Sequence, residues 1–239
     1  MNFDLSPEQQ AVQAKARAFA ASLRAADIDR DAVMPTEIQR QAAALLAGDE
    51  LTTVLSLEEI AAESAAVAVA AAAFAEVPPD RAARLDAGGS LGLAGLRGAP
   101  ALTESPRAQL ALAAIALGVG RRALELSLEE LRRSTATRGA DVEKPHWVAA
   151  DVATEVAAAR MLTYKAAHTQ SDVDIAMARL MASAAAERSA AAALRIVGSE
   201  GLKQGSVLER LARDARAIAL VLGTEERQRA VAADGLFPR

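Results

Sequence analysis

Apolar positions recur at helical spacing along most of this chain, and capping residues punctuate them. Ser6-Pro7-Glu8-Gln9 reads as a helix opening: a capping serine, proline at the first helical position and a glutamine that completes the box. Val12, Ala16, Phe19 and Leu23 follow as one buried stripe. Beyond a polar connection at 27–35, the pattern predicts a helix over 36–47 that stops at Gly48. Ser56-Leu57-Glu58-Glu59 predicts a second capping box, opening a helix that runs to 76. Ser105-Pro106 repeats the opening and starts a long helix to 135. Leu110, Ala114, Leu117, Leu124, Leu128 and Leu131 form its apolar face, and Gly118 and Gly120 let a neighbour approach closely. Two more helices are predicted over 145–168 and from the loop at 169–172 to 197.

The last forty-odd residues carry the densest signal. Gly198-Ser199-Glu200-Gly201 is a glycine-broken turn able to reverse the chain. Ser206 with Glu209 predicts a capping box, and Val207, Leu208, Leu211, Ala215, Ile218 and Leu222 line one helix face behind it. The helix stops at Gly223, and Thr224 caps the next one.

Between 77 and 105 the pattern fails. Pro78-Pro79, Gly88-Gly89, Gly92, Gly95, Gly98 and Pro100 interrupt every apolar run, which predicts loop or short extended pieces, with 91–96 as a strand or hairpin remnant. The expected architecture is therefore all-α: an N-terminal helical domain (1–76), a Gly/Pro-rich connection (77–105) and a C-terminal antiparallel four-helix bundle (106–239). Alanine-rich, aromatic-poor composition suits closely packed helices. A net charge of −4 with mixed signs offers no basic face for nucleic acid. The absence of cysteine removes disulfides and thiol chemistry. The most apolar run, 65–75, is too short to cross a bilayer and the start lacks a signal-peptide pattern, so a cytoplasmic protein with no membrane partner is expected.

Three segments in fixed order resemble the C-terminal end of the acyl-CoA dehydrogenases. They are Arg195-Ile196-Val197-Gly198-Ser199-Glu200-Gly201, then Glu209-Arg210-Leu211-Ala212-Arg213-Asp214-Ala215-Arg216, then Val221-Leu222-Gly223-Thr224-Glu225-Glu226-Arg227-Gln228-Arg229. The segment 150–160, ADVATEVAAAR, is similar to another helix of that family, and the openings at 5–10 and 57–61 resemble its N-terminal domain. The resemblance implies that a β-barrel domain has been reduced to the 77–105 connection. It also implies FAD as cofactor, with Arg195, Gly198, Ser199, Gly201, Thr224, Gln228 and Arg138 at the positions that face it. Arg195 stands where the family has Gln, and Ser199 where it has a second turn glycine.

The family's reaction needs a carboxylate base beside the thioester α-carbon. The resemblance places that base at Leu222, which has no lone pair, and the alternative position in other members falls on Arg107-Ala108-Gln109. No catalytic residue is therefore expected in this chain. The reading that follows is a non-catalytic subunit of a heteromeric FAD-dependent acyl-CoA dehydrogenase. It would complete the site of a full-length partner in an α2β2 assembly that acts on an acyl-CoA, a bulky sterol side-chain thioester being one example. Two rivals stand beside it: a flavin-free helical scaffold or acyl-group-binding module, and a self-sufficient dehydrogenase with a displaced base such as Glu226. The Gly198–Gly201 turn keeps two readings, a dinucleotide contact or a plain helix reversal. Arg213 and Asp214 read as an intersubunit pair or an intrahelical one. His146 and His168 are expected at the surface rather than on a metal, and Trp147 as a packing anchor.

Overall fold

A computed structural model describes residues 4–25, 36–76, 84–85, 96–97, 104–138 and 143–237. Among these the helices are α1 (Pro7–Ala25), α2 (Thr36–Ala44), α3 (Glu50–Glu63), α4 (Ala65–Glu76), α5 (Pro106–Arg138), α6 (Glu143–Thr169), α7 (Asp172–Val197), α8 (Val207–Leu220) and α9 (Glu225–Leu236). A 3-10 turn, Gly198–Leu202, links α7 to α8. The described β structure is one antiparallel pair, β1 (Arg84–Leu85) with β2 (Leu96–Arg97), in the register Leu85 to Leu96. The expected remnant at 91–96 meets it at Leu96; the rest of that segment and the connection at 27–35 lie outside the described residues.

Local chemistry explains where helices begin. The Ser6 box forms in both directions: Gln9 N–H donates to Ser6 Oγ at 3.2 Å, and Ser6 N–H donates to Gln9 Oε1 at 2.9 Å. Ser105 caps α5 by accepting from Ala108 N–H at 3.1 Å. The Ser56 box does not form. Helix α3 starts seven residues earlier, capped by Asp49, whose carboxylate accepts from Thr52 N–H at 2.7 Å. Ser56 then lies mid-helix and donates to Leu45 O at 2.8 Å. The helical run to 76 is also interrupted: Ser64 is extended, and its Oγ accepts from Val67 N–H at 3.3 Å to start α4. The second box is likewise one-sided. Ser206 Oγ accepts from Leu208 N–H at 3.2 Å, but Glu209 turns forward to Arg213 at 2.6 Å.

Helices α5, α6 and α7 pack along one another, with α8 and α9 against α7. Helix α3 lies on α5 and α6, and α1 lies on α3, so N-terminal helices and bundle share one apolar core. Much of that core is alanine, including Ala114, Ala116, Ala178, Ala182 and Ala186. Small side chains bring helix axes close, and glycine takes over where even a methyl group is too large. A Cβ on Gly118 would sit 2.3 Å from the Glu58 carbonyl oxygen, and one on Gly120 would sit 3.0 Å from the Cα of Ala186. Trp147 is not the packing anchor expected. It is 58% exposed on the outer face of α6, where Ala150, Ala157, Ala158 and Met161 are exposed with it. Val207 is also exposed rather than buried.

Gly118→Ala should therefore destabilise the fold by roughly 2–3 kcal/mol, because the obstacle is helix backbone rather than a movable side chain. Urea unfolding checks this; an unchanged midpoint would show that α3 and α5 separate freely.

Candidate functional site

The α8–α9 junction is built on an unusual backbone. Helix α8 ends at Leu220, Val221 is extended, and Leu222 then adopts φ +55°, followed by Gly223 at φ +107°. The left-handed region costs a non-glycine residue about 1–2 kcal/mol. Side chains from beneath offset that cost. Gln109 Nε2 donates to the Leu222 carbonyl at 2.7 Å. Arg179, 3% exposed, donates from Nη2 to the carbonyls of Ile218 and Val221, the latter at 3.3 Å. Its Nε donates to Gln109 Oε1 at 3.3 Å, and its Nη1 to Ser183 Oγ. These donors satisfy the carbonyls a helix end leaves open. Burial pushes the Arg179 pKa down to about 10, so it remains a cation at neutral pH. The Leu222 side chain packs against the core.

The residues expected to face a cofactor do not converge. Arg195 and Ser199 are exposed at the end of α7. Gly198 holds φ +78°, and a Cβ there would meet nothing within 4 Å, so glycine serves the backbone and the turn is open outward. Gly201 faces inward instead, where a Cβ would meet Leu208 at 3.0 Å. Thr224 and Gln228 lie at the other end of α8, roughly 20 Å away for a helix of that length. Thr224 is exposed; Gln228 is 6% exposed and turned towards the interior. Arg138 ends α5, its side chain outside the described residues.

His146 and His168 are exposed, and no group of three metal-ligating residues occurs among the described residues. Arg213 pairs with Glu209 within α8, whereas Asp214 is buried. No helix among the described residues is long and apolar enough to cross a membrane.

A buried ionic hub escaped the sequence reading. Glu58 and Glu59, 1% and 3% exposed, stand side by side on α3. Glu58 accepts from Arg160 Nη2 at 2.7 Å and Tyr164 OH at 3.1 Å, and Arg121 Nε lies 3.4 Å away. Glu59 accepts from Arg17 at 2.9 Å, Arg121 at 2.8 Å and Gln13 at 3.1 Å. Together they tie α1, α5 and α6 to α3. Burial alone would raise Glu59, but the Arg17 hydrogen bond and the Arg121 charge outweigh it and hold its carboxyl below the usual range. Burial and the Glu58 charge push the Tyr164 hydroxyl up, so it stays a donor. The available signal was two adjacent glutamates inside an otherwise apolar run, which demands buried partners.

This helical architecture, with its turn after α7 and its α8–α9 junction, matches the helical domains of the acyl-CoA dehydrogenases. Residues 101–237 match the family "Acyl-CoA dehydrogenase, C-terminal domain". The chain belongs to the acyl-CoA dehydrogenase family, shortened where the family has a β domain. It is 34% identical over 118 residues to 3-sulfinopropanoyl-CoA desulfinase of Variovorax paradoxus, covering 47% of this chain and 30% of that protein. It is 33% identical over 135 residues to cyclohex-1-ene-1-carbonyl-CoA dehydrogenase of Geobacter metallireducens, covering 53% and 36%. The matched stretch thus spans about a third of these curated relatives. Butyryl-CoA dehydrogenase from Megasphaera elsdenii shares the fold, with TM-score 0.79 at 17% identity over 99% of this chain and 100% of that one. Homologous acyl-CoA dehydrogenases bind FAD.

Two outcomes follow from the hub and the junction. Glu59, Asp49 and Asp174 all have carboxyls held below their usual range. Their stabilisation is complete above the unfolded-state pKa of about 4 and is lost as pH falls through the lower folded values. Urea midpoints should drop on acidification through that window, and Glu59→Gln should shrink the drop. Arg179→Met should cost about 3 kcal/mol by stranding buried carbonyls, and should speed amide exchange at 221–224. Unchanged exchange there would show that the junction holds itself.

Proposed function

We propose that this chain is a non-catalytic subunit of a heteromeric FAD-dependent acyl-CoA dehydrogenase, acting with a full-length, base-bearing partner. The observation that carries it is Leu222. An aliphatic side chain, packed against the core, stands at the junction where the family's resemblance calls for a carboxylate. Neighbouring acids do not replace it. Glu225 pairs with Arg229 at 2.6 Å, and Glu104 with Arg227 at 2.5 Å. Glu226 stands in open solvent, and Thr224 holds its carboxyl below the usual range. A general base for a weakly acidic carbon needs the opposite shift. Glu226 as a displaced base is therefore disfavoured.

The partner supplies the flavin-ring and thioester contacts, and this chain closes the assembly. The outward turn with Arg195 and Ser199 meets the phosphate end of the partner's FAD, with Thr224 at the second contact. The face of α6 bearing Trp147 and Met161 supports a protein partner. An exposed tryptophan and methionine on one helix face are residue types enriched at interfaces. Next to it runs an apolar groove of about 660 Å³ between α5 and α6, lined by Leu128, Leu131, Ala149 and Ala153. The proposed chemistry is α,β-desaturation of an acyl-CoA, and α2β2 is the proposed stoichiometry. The flavin-free scaffold is the second reading, favoured by the loss of the β domain.

The test is an absorbance spectrum with light-scattering mass, on the chain alone and co-expressed with a dehydrogenase that retains the base. A colourless chain that forms a larger yellow, active complex is expected. Trp147→Glu should break that complex and leave the isolated chain folded. A yellow, active isolated chain would overturn the proposal, and a colourless chain that joins nothing would give the scaffold reading.

A further inference from the structure

We infer that the uncovered face of α6 pairs with the same face of a second copy of this chain, across a twofold axis running along the helix. The inference deepens the subunit reading by naming what covers this face, and it rests on that reading only for the pair's place in an α2β2 assembly. Helix α6 packs on α3, α5 and α7. Its remaining side stays exposed through Trp147, Ala150, Thr154, Ala157, Ala158 and Met161. That row is about 21 Å long at 1.5 Å per residue. Apart from one hydroxyl it is apolar, and the tryptophan at its head is 58% exposed, so covering it is favourable.

Shape supplies the first argument. Beside the row, Leu128, Leu131 and Arg132 of α5 and Ala149, Ala150 and Ala153 of α6 wall the groove of about 660 Å³. Both walls repeat at three- and four-residue spacing, the pattern that receives the flank of another helix. Successive residues turn by about 100° on a helix, so Asp151 sits about 160° round α6 from Ala149 and Ala153. It therefore lies on the flank away from the groove. A twofold axis parallel to α6 brings that flank of one copy over the groove of the other, at the same height. One chain then supplies both ridge and groove, as a twofold interface requires.

Charge supplies the second argument and selects the occupant. Asp151 is exposed beside the row, and Arg132 stands exposed in the groove wall. Neither has an ion-pair or hydrogen-bond partner among the described residues. Neighbouring charges are matched within the chain: Arg133 with Glu130 at 2.8 Å, and Arg188 with Glu155 at 2.9 Å. The twofold axis sets Asp151 of each copy against Arg132 of the other, making two ion pairs. A partner of unrelated sequence would have to bring an acid and a cation at this spacing, whereas a second copy carries both. Exposed ion pairs are individually modest, so they fix the register while the apolar row supplies most of the association.

The test is light scattering on the full chain by itself. At about 50 μM it should weigh twice the 24.8 kDa of one chain, as a pair with a micromolar Kd would. Asp151→Arg and Arg132→Asp each turn two attractions into two repulsions, and each should weaken the pair at least about tenfold. Placed together in one chain, the two changes restore opposite charges and should bring the dimer back. Both residues are exposed, so the variants keep their fold, which circular dichroism checks. A monomer at that concentration would overturn the inference. So would a dimer that the single reversals leave intact, or a doubly reversed chain that stays monomeric. The subunit reading fails separately: a dimer that joins no dehydrogenase sinks that reading alone, and a monomer that joins one sinks only this inference.

Discussion

Two adjacent carboxylates buried on α3 are the constraint on which the rest of the fold depends. A carboxylate taken out of water is tolerable only where cations and hydroxyls surround it closely. Glu58 and Glu59 each find such partners, but on different helices: Arg160 and Tyr164 on α6, Arg121 on α5, and Arg17 and Gln13 on α1. Each helix is thereby fixed in rotation about its own axis, since a turned helix would leave a charge stranded. Alanine contacts alone would not achieve this, because one methyl packs much like the next. The charged hub gives the alanine-rich core its specificity, and the glycine opposite Glu58 lets the two backbones come close enough for it to form.

The helices and their order were legible in the sequence because apolar spacing and local caps encode them. The opening at Ser6 and the long α5 follow from residues within one turn of each other. The errors share a cause. Ser56 and Glu59 have the spacing of a capping box, and so do Ser206 and Glu209, but spacing cannot show which partner a side chain chooses. Glu59 went to arginines 42 and 62 positions away in the chain, and Glu209 to Arg213 one turn on. Trp147 failed for the opposite reason: a large apolar residue predicts burial without saying against which molecule. The resemblance sets Leu222 at the family's carboxylate position. Its left-handed backbone, and the Gln109 and Arg179 contacts beneath it, arise from tertiary packing that no local pattern carries.

On the proposed reading, the junction separates two things that an active member of the family would combine. The scaffold that presents residue 222 is elaborate and well supported, whereas the residue presented is inert. Arg179 and Gln109 satisfy carbonyls, so they hold the shape of the α8–α9 corner. On the proposed non-catalytic reading, retention of that shape fits a role in which the corner is a surface for another molecule.

The single core shared by the N-terminal helices and the bundle also bears on how the protein is made. Glu58 and Glu59 leave the ribosome well before Arg121, and Arg160 emerges later still. Until α6 is synthesised, α3 holds two carboxylates whose final partners are incomplete. The nascent chain thus cannot finish its first half independently, and the early helices spend much of translation as candidates for chaperone capture.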